Sequence, residues 1–307
     1  MSIYRKSDIP AHLQKWFKPA ELGLEKTPDE YVAKLVQVFR EVRRVLRDDG
    51  TLWLNLGDSY AGSGKGGNPD GGKQATNKGS QSVGCLYGTG KTAREAAVTN
   101  VTRKTFDGIK AKDLIGIPWM VAFALRADGW YLRQDIVWHK PNPMPESVRD
   151  RCTKAHEYIF LMSKSERYYF DGGVIAEPCV CTEPFRFVDG GQDKQRGHSR
   201  RHAGFNGRYA KKIAEEGPPK TRNKRSVWTV ATKPYKGAHF ATFPPDLIEP
   251  CVLAGCPAGG VVLDPFFGSG TTGQVAQKNG RRYIGIELNP AYEPLAKERV
   301  QQTALAL

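Results

Sequence analysis

The feature that most constrains the fold is the stretch GGVVLDPFFGSGTTG, residues 259–273. A short apolar run suited to a buried strand meets an acidic residue, Asp264. A turn punctuated by Gly268, Gly270 and Gly273 follows, and then residues that suit a helix. Glycine allows such a sharp strand-to-helix turn because it reaches positive φ without a Cβ clash. Strand, glycine turn and helix N-terminus together hold nucleotide-like cofactors in many α/β enzymes. Glu287 ends the next apolar run, RRYIGIEL, where an acidic side chain can accept hydrogen bonds from ribose hydroxyls. Units of this type usually open a chain. Here the unit lies close to the end of 307 residues, so the remainder of any enzyme built on it must precede it.

Two cofactors suit that spacing. A dinucleotide would set its pyrophosphate on the helix N-terminus, where Asp264 would repel it. S-adenosylmethionine carries no phosphate, and Asp264 could pair with its ammonium group.

Upstream, the periodicity predicts alternating helices and strands. TPDEYVAKLVQVFREVRRVLRDDG is a helix, with Thr27 as N-cap, Pro28 in the first turn and Glu30 completing a capping box. Its apolar stripe is Tyr31, Leu35, Val38, Phe39, Val42 and Leu46. TLWLNLG is a buried strand, and KDLIGIPWMVAFALRADG a second helix. WYLRQDIVWHK and HEYIFLMSKS are strands, and FPPDLIEPCVLAG is a short helix. GVVLDP, GTTGQVAQKNG, RRYIGIEL and NPAYEPLAKERVQQTAL complete the series as strand, helix, strand and helix. Such alternation implies a parallel sheet covered on both faces. Residues 61–108 and 176–237 are rich in glycine and polar residues and read as irregular; residues 1 to 26 show no periodicity.

Composition narrows the function. A net charge of +14 favours a polyanionic partner. No apolar run is long enough for a membrane span, and the N-terminal residues lack the apolar core of a secretory signal, so a cytoplasmic protein is expected. The six cysteines do not form the paired spacings of a zinc site, and reduced thiols are expected.

DPFFGSGTTG resembles the S-adenosylmethionine motif of amino-methylating DNA methyltransferases, and GIELNPAY continues the resemblance. HFATFPPDLIEPCVLAGCP is similar to the segment that precedes the loop in permuted members and closes over the cofactor. DIVWHKPNPMPESVRDRCTKAHEYIFLMSKS is similar to the DNA-facing strand–loop–strand. LGLEKTPDEYVAKLVQVFREVRRVLRDDGTLWLNLGDSY is similar to the helix and strand that follow the family's catalytic motif. This order, catalytic half first and cofactor loop last, is that of the beta group.

The resemblance implies a Rossmann-like, circularly permuted α/β fold that transfers a methyl group from S-adenosylmethionine to the N4 of cytosine or the N6 of adenine in duplex DNA. It implies cofactor contacts at His239, Phe240, Phe243, Asp264, Pro265, Phe266, Gly268, Ser269, Gly270, Thr271, Thr272, Glu287 and Asn289. It divides the chain into a catalytic-side half (1–175), an inserted basic target-recognition region (176–237) and a cofactor half (238–307).

Members of this family carry a tetrapeptide, Asp or Ser followed by Pro-Pro and an aromatic residue. Its acceptors hold the amine of a flipped base while its ring stacks on that base. The tetrapeptide is expected upstream of LGLEKTPDEY, after an apolar strand, and residues 1–307 do not contain it. NPMP, FPPD and NPAY lack the pattern and belong to other segments. The alternatives are therefore an enzyme that obtains this piece from elsewhere, for example an upstream polypeptide, or a defective or split module that binds DNA without turnover. Asn55, Asp58 and Tyr60, in NLGDSYAG, are the substitute catalytic candidates, with Asn142 and Pro143. Lys140, Asn142, Pro143 and Pro145 are candidates for the base pocket. His139 and His156 lack metal spacing and read as packing or hydrogen-bonding residues.

The stretch from 194 to 225 interleaves Arg200, Arg201, Arg208, Lys211, Lys212, Arg222, Lys224 and Arg225 with Phe205 and Tyr209. Around a DNA-enzyme core, these cations are expected at phosphates, with Lys140 a further DNA contact. Duplex DNA is the expected partner, with a cognate restriction enzyme as a second.

Overall fold

The computed structural model describes residues 2–4, 22–23, 25–61, 108–179, 211–212, 215–217, 219–233 and 242–305. The expected long loop and much of the basic stretch, including Arg200, Arg201 and Arg208, lie outside the described residues, as do His239 and Phe240.

In chain order the elements are β1 (Ser2–Tyr4), α1 (Pro28–Val45), β2 (Thr51–Leu56), α2 (Ile117–Ala127), β3 (Tyr131–His139), β4 (His156–Ser163), β5 (Glu177–Pro178), β6 (Thr221–Arg222) and β7 (Val227–Thr229). Then come α3 (Pro245–Gly255), β8 (Val261–Asp264), α4 (Thr271–Lys278), β9 (Arg282–Ile286), a 3-10 turn (Pro290–Tyr292) and α5 (Glu293–Leu305).

Local chemistry explains α1. Thr27 Oγ1 accepts from the Glu30 amide at 3.2 Å, Pro28 occupies the first turn, and Glu30 reaches back to the Lys26 amide at 3.0 Å. Its buried face is Val32, Leu35, Phe39 and Val42, so Val32 takes the buried place expected of Tyr31. With Val121, Ala122, Leu125, Trp130, Leu54, Phe160 and Met162, this face forms the main apolar cluster. A second cluster joins Ile136, Trp138, Ile159, Trp228, Leu247 and Cys251.

The strands form two main sheets. One runs β1-β9-β8, all parallel; the other runs β2-β4-β3-β7. The second sheet corrects the expectation of a wholly parallel sheet, because β4 is antiparallel to both β2 and β3. The physical reason lies in the connection. β3 returns into β4 through a loop with no crossover helix, and a parallel neighbour needs such a crossover. Two further differences concern segments read as irregular. β1 adds to the edge of β9. β7 pairs in parallel with β3 and buries Trp228 to 5% exposure, so the main sheet reaches into the 176–237 segment.

Among the described residues, β8 and β2 each have a partner on one side only. Their open edges border the same core. Leu263 of β8 packs on the cluster that holds Leu54 of β2, Phe39 and Phe266 meet edge-on at 6.3 Å, and Thr51 Oγ1 of β2 donates to the Gly255 carbonyl at the end of α3.

Candidate active site

The loop between β8 and α4 is held by side chains that turn inward. Gly270 lies at φ 82 and a Cβ there would meet Ala296 of α5 at 3.0 Å, so both the turn and the close helix approach require glycine. Phe267, buried, stacks on Tyr283 and sits against Gly273 and Gly285, where added Cβ atoms would come within 2.7 and 2.4 Å of its ring. The loop is thereby clamped between α4, β9 and α5.

Its amides point at carboxylates. Asp264 Oδ1 accepts from the Phe266 amide at 2.9 Å and Oδ2 from Thr272 Oγ1 at 2.5 Å. Glu287 Oε2 accepts from the Gly268 amide and Oε1 from the Asn289 amide, each at 2.7 Å. The Gly270 amide is taken by the Phe267 carbonyl at 2.9 Å. Burial raises the Asp264 carboxyl above its ordinary pKa; hydrogen bonds from Thr272 and Phe266 act against this, and the charge of Glu287 adds to it.

Asp264, Pro265, Phe266, Gly268, Ser269, Gly270, Thr271, Thr272, Glu287 and Asn289 therefore come together around one turn. Phe266 is exposed beside it, and Asn289 caps the following 3-10 turn through Ala291. Ser269 and Thr271 are buried and turn their hydroxyls to Arg299 of α5, at 2.9 Å for Ser269. Sequence reasoning missed Arg299, because no local pattern marks a helix side chain that returns to a distant loop. Phe243 packs on the second apolar cluster.

A second recess opens where β2 and β3 end and β4 begins. It measures about 280 Å³ and is lined by Gly57, Asp58, Lys140, Pro143, Met144, Pro145, Glu146, Lys154 and Glu157. Lys140 pairs with Glu157 and lies over the Trp138 ring at 4.3 Å. Asn55 Nδ2 donates to Glu157 Oε2 at 3.2 Å and to the Tyr158 carbonyl at 3.0 Å. Glu157 is the functional candidate that sequence reading overlooked; its only signal is its place at the start of a strand beside Asn55.

The catalytic candidates have structural work as well. Asp58 Oδ1 accepts the amides of Ser59, Gly116 and Ile117 at 2.9, 3.0 and 3.1 Å. It thus supplies the cap that Gly116, at φ 83, cannot give α2. Asn142 is tied to Thr232 through its Oδ1 at 2.9 Å and its Nδ2 at 3.1 Å. Tyr60 carries the Arg151 guanidinium over its ring at 4.0 Å. Pro143 lies at the recess rim. His139 contacts Thr229 at 3.1 Å, and His156 meets Tyr158 edge-on.

Arg222, Lys224 and Arg225 converge on one carboxylate, Glu177, at 3.5, 3.9 and 3.0 Å. The hydrogen bond from Arg225 is the main reason that Glu177 is held below the usual carboxylate pKa range. Three cations around one acid leave a positive surface. Lys211 and Lys212 are exposed and face Glu215 and Glu216 at 3.8 and 3.7 Å.

A parallel strand–glycine turn–helix unit, an acidic residue closing its second strand and a mixed sheet alongside define a Rossmann-like enzyme that holds a nucleoside cofactor at strand C-termini. The chain belongs to the DNA methylase family, whose sequence pattern matches residues 14–298. The type II methyltransferase M.SmaI of Serratia marcescens is 44% identical over 288 residues, covering 94% of this chain and 80% of the relative. M.Cfr9I of Citrobacter freundii is 44% identical over 281 residues, covering 92% and 75%. In fold the chain is similar to the PvuII DNA methyltransferase (cytosine-N4-specific), with a TM-score of 0.53 at 17% identity over 94% of this chain and 80% of that one. It is similar also to a DNA modification methylase of Thermus thermophilus complexed with S-adenosyl-L-methionine, with a TM-score of 0.50 at 22% identity over 94% and 84%.

Proposed function

We propose that this chain acts as a site-specific DNA methyltransferase that moves the methyl group of S-adenosylmethionine to the exocyclic amine of cytosine (N4) or adenine (N6) in duplex DNA. The observation that carries the cofactor assignment is the state of the glycine loop. A pyrophosphate needs free amides at the turn. Here the amides of Phe266 and Gly268 already donate to Asp264 and Glu287, and both carboxylates would repel phosphate. The same two carboxylates suit a ligand that brings an ammonium group and ribose hydroxyls, since each oxygen keeps capacity for a further donor.

S-adenosylmethionine supplies an electrophilic methyl group on a sulfonium centre when bound. Asp264 pairs with the ammonium group, Glu287 accepts from the ribose, and Phe266 offers an apolar face beside the turn. His239, Phe240 and Phe243 belong to the segment that covers this site. The recess at Asn55, Lys140 and Glu157 receives the flipped base, and positioning of the amine replaces any covalent intermediate. Calorimetry checks the cofactor reading: S-adenosylmethionine is expected to bind and NAD to fail, and tighter binding of NAD would end it.

The tetrapeptide that presents the amine is supplied by a polypeptide segment outside residues 1–307. The two open edges, β8 and β2, support this completion, because a strand between them would join the parallel and mixed sheets into one. The beta-group order of a permuted fold, with 176–237 as target-recognition region, fits the position of β8 after the base-facing strands. A chain left without the segment is a module that binds DNA and cofactor without turnover.

No helix among the described residues is long and apolar enough to cross a membrane. A cytoplasmic location and a cognate restriction enzyme as functional partner belong to the same reading. Phosphate contact is assigned to the Arg222, Lys224 and Arg225 cluster, with Arg200, Arg201, Arg208, Lys211 and Lys212 along the same segment. Each phosphate contact on B-DNA contributes about one unit to the slope of log K against log salt. Because Glu177 offsets part of the charge, replacing the three cluster cations with Gln is expected to flatten that slope by about two. An unchanged slope and affinity, measured by fluorescence titration, would make the cluster a solvated surface.

A further inference from the structure

Met144 is 87% exposed, the most exposed large apolar side chain among the described residues. It stands on the β3–β4 connection between Pro143 and Pro145, whose rings restrict the backbone. The connection is anchored on both sides of it. Asn142 is tied to Thr232, and Arg151 pairs with Glu146 at 2.6 Å. An anchored loop that carries a protruding thioether differs from a frayed one. The side chain also lies at the rim of the recess bordered by Lys140, Lys154 and Glu157. That recess is at the small end for a ligand site, a size that suits one base rather than a whole cofactor.

Extrusion of a base from a duplex leaves an unstacked gap opposite an orphaned partner. Proteins that deform DNA fill such gaps with apolar side chains, methionine among them. Methionine's unbranched, polarizable chain adapts to an irregular cavity. A side chain suited to the gap and a recess suited to the base stand side by side, with Lys140 and Lys154 to meet the backbone. We propose that Met144 is an intercalating wedge: it enters the duplex where the target base has left, while that base occupies the recess beside it. It is a positioning residue, and the assignment rests on the reading of the recess as the base site.

The test uses the full chain and two fluorescent duplexes of the same mixed sequence, one intact and one with a single central abasic site. A preformed gap accepts the wedge without the cost of unstacking. The wild-type chain is expected to bind the abasic duplex about tenfold more tightly than the intact one. Met144→Ala should lose that preference while keeping the salt slope and Tm of the wild type, and Met144→Leu should retain it. Wild-type binding with equal affinity for both duplexes, or a preference that survives in Met144→Ala, would overturn the wedge alone. Failure to bind either duplex would overturn the DNA-methyltransferase reading on which it rests.

Discussion

Incubated with S-adenosylmethionine and mixed-sequence duplex DNA, the chain of residues 1–307 is expected to transfer methyl groups at least about a thousandfold more slowly than the same chain supplied with a strand-forming segment that ends in Ser-Pro-Pro-Tyr. The amino nitrogen of a nucleobase is a weak nucleophile because its lone pair is delocalised into the ring. Acceptors that hold the two amine hydrogens turn that lone pair toward the methyl group, and orientation of this kind is worth several powers of ten in rate. The described recess does not replace those acceptors. Asp58 Oδ1 is engaged by three amides, Asn142 is tied to Thr232, and Glu157 holds Lys140 and Asn55.

The same segment should raise the Tm, because two open strand edges over one core gain ladder hydrogen bonds when a strand enters between them. Tritiated-methyl transfer, with the segment added in cis and in trans, measures the first effect, and thermal unfolding the second. Robust transfer by residues 1–307 alone would show that the residues already present, with Asn55, Asp58 and Tyr60 foremost, present the amine.

The second large effect concerns Asp264. Burial, with Glu287 adding to it, lifts the carboxyl above its ordinary value in the free protein. An acid whose folded pKa is raised binds its proton more tightly folded than unfolded. It therefore makes stability fall as pH rises from the ordinary carboxylate value through the raised one. A bound ammonium group reverses the balance, because it favours the ionised form. Binding of S-adenosylmethionine should release a proton in that window, and affinity should climb with pH until Asp264 is ionised in the free protein, then level off. Asp264→Asn should weaken binding by about ten- to a hundredfold at neutral pH, the range for a hydrogen bond to a charged group, and should remove the pH dependence. Calorimetry in buffers of different ionisation enthalpy reads both. A pH-independent affinity in the wild type would mean that the ammonium group does not sit at Asp264.

The elements whose causes are local were legible in the sequence. Thr27, Pro28 and Glu30 announce the start of α1, and the apolar period gives its buried face to within one residue. The glycine spacing after GVVLD announces a cofactor turn, and Glu287 its acidic partner. These signals act over a few residues, through φ restrictions, caps and side-chain periodicity. The family resemblance extended the reading to the reaction, and it exposed the tetrapeptide that these residues do not contain.

What only the tertiary structure decided are the contacts between residues far apart in the chain. An apolar run such as HEYIFLMS is equally suited to a parallel or an antiparallel neighbour, and its pairing between β2 and β3 depends on a loop with no helix to cross back. VWT is too short to show a period, yet β3 recruits it and buries Trp228. Asp58 looked like a chemical group in the sequence and proved to be the cap of a helix that begins beyond a long loop. Arg299 reaches Ser269 and Thr271 from another helix. The sequence by itself determined which segments become helix, strand and glycine turn, because those depend on neighbours along the chain. Pairing direction, the filling of the loop's amides by carboxylates and the open edge between β8 and β2 depend on neighbours in space, which no local pattern encodes.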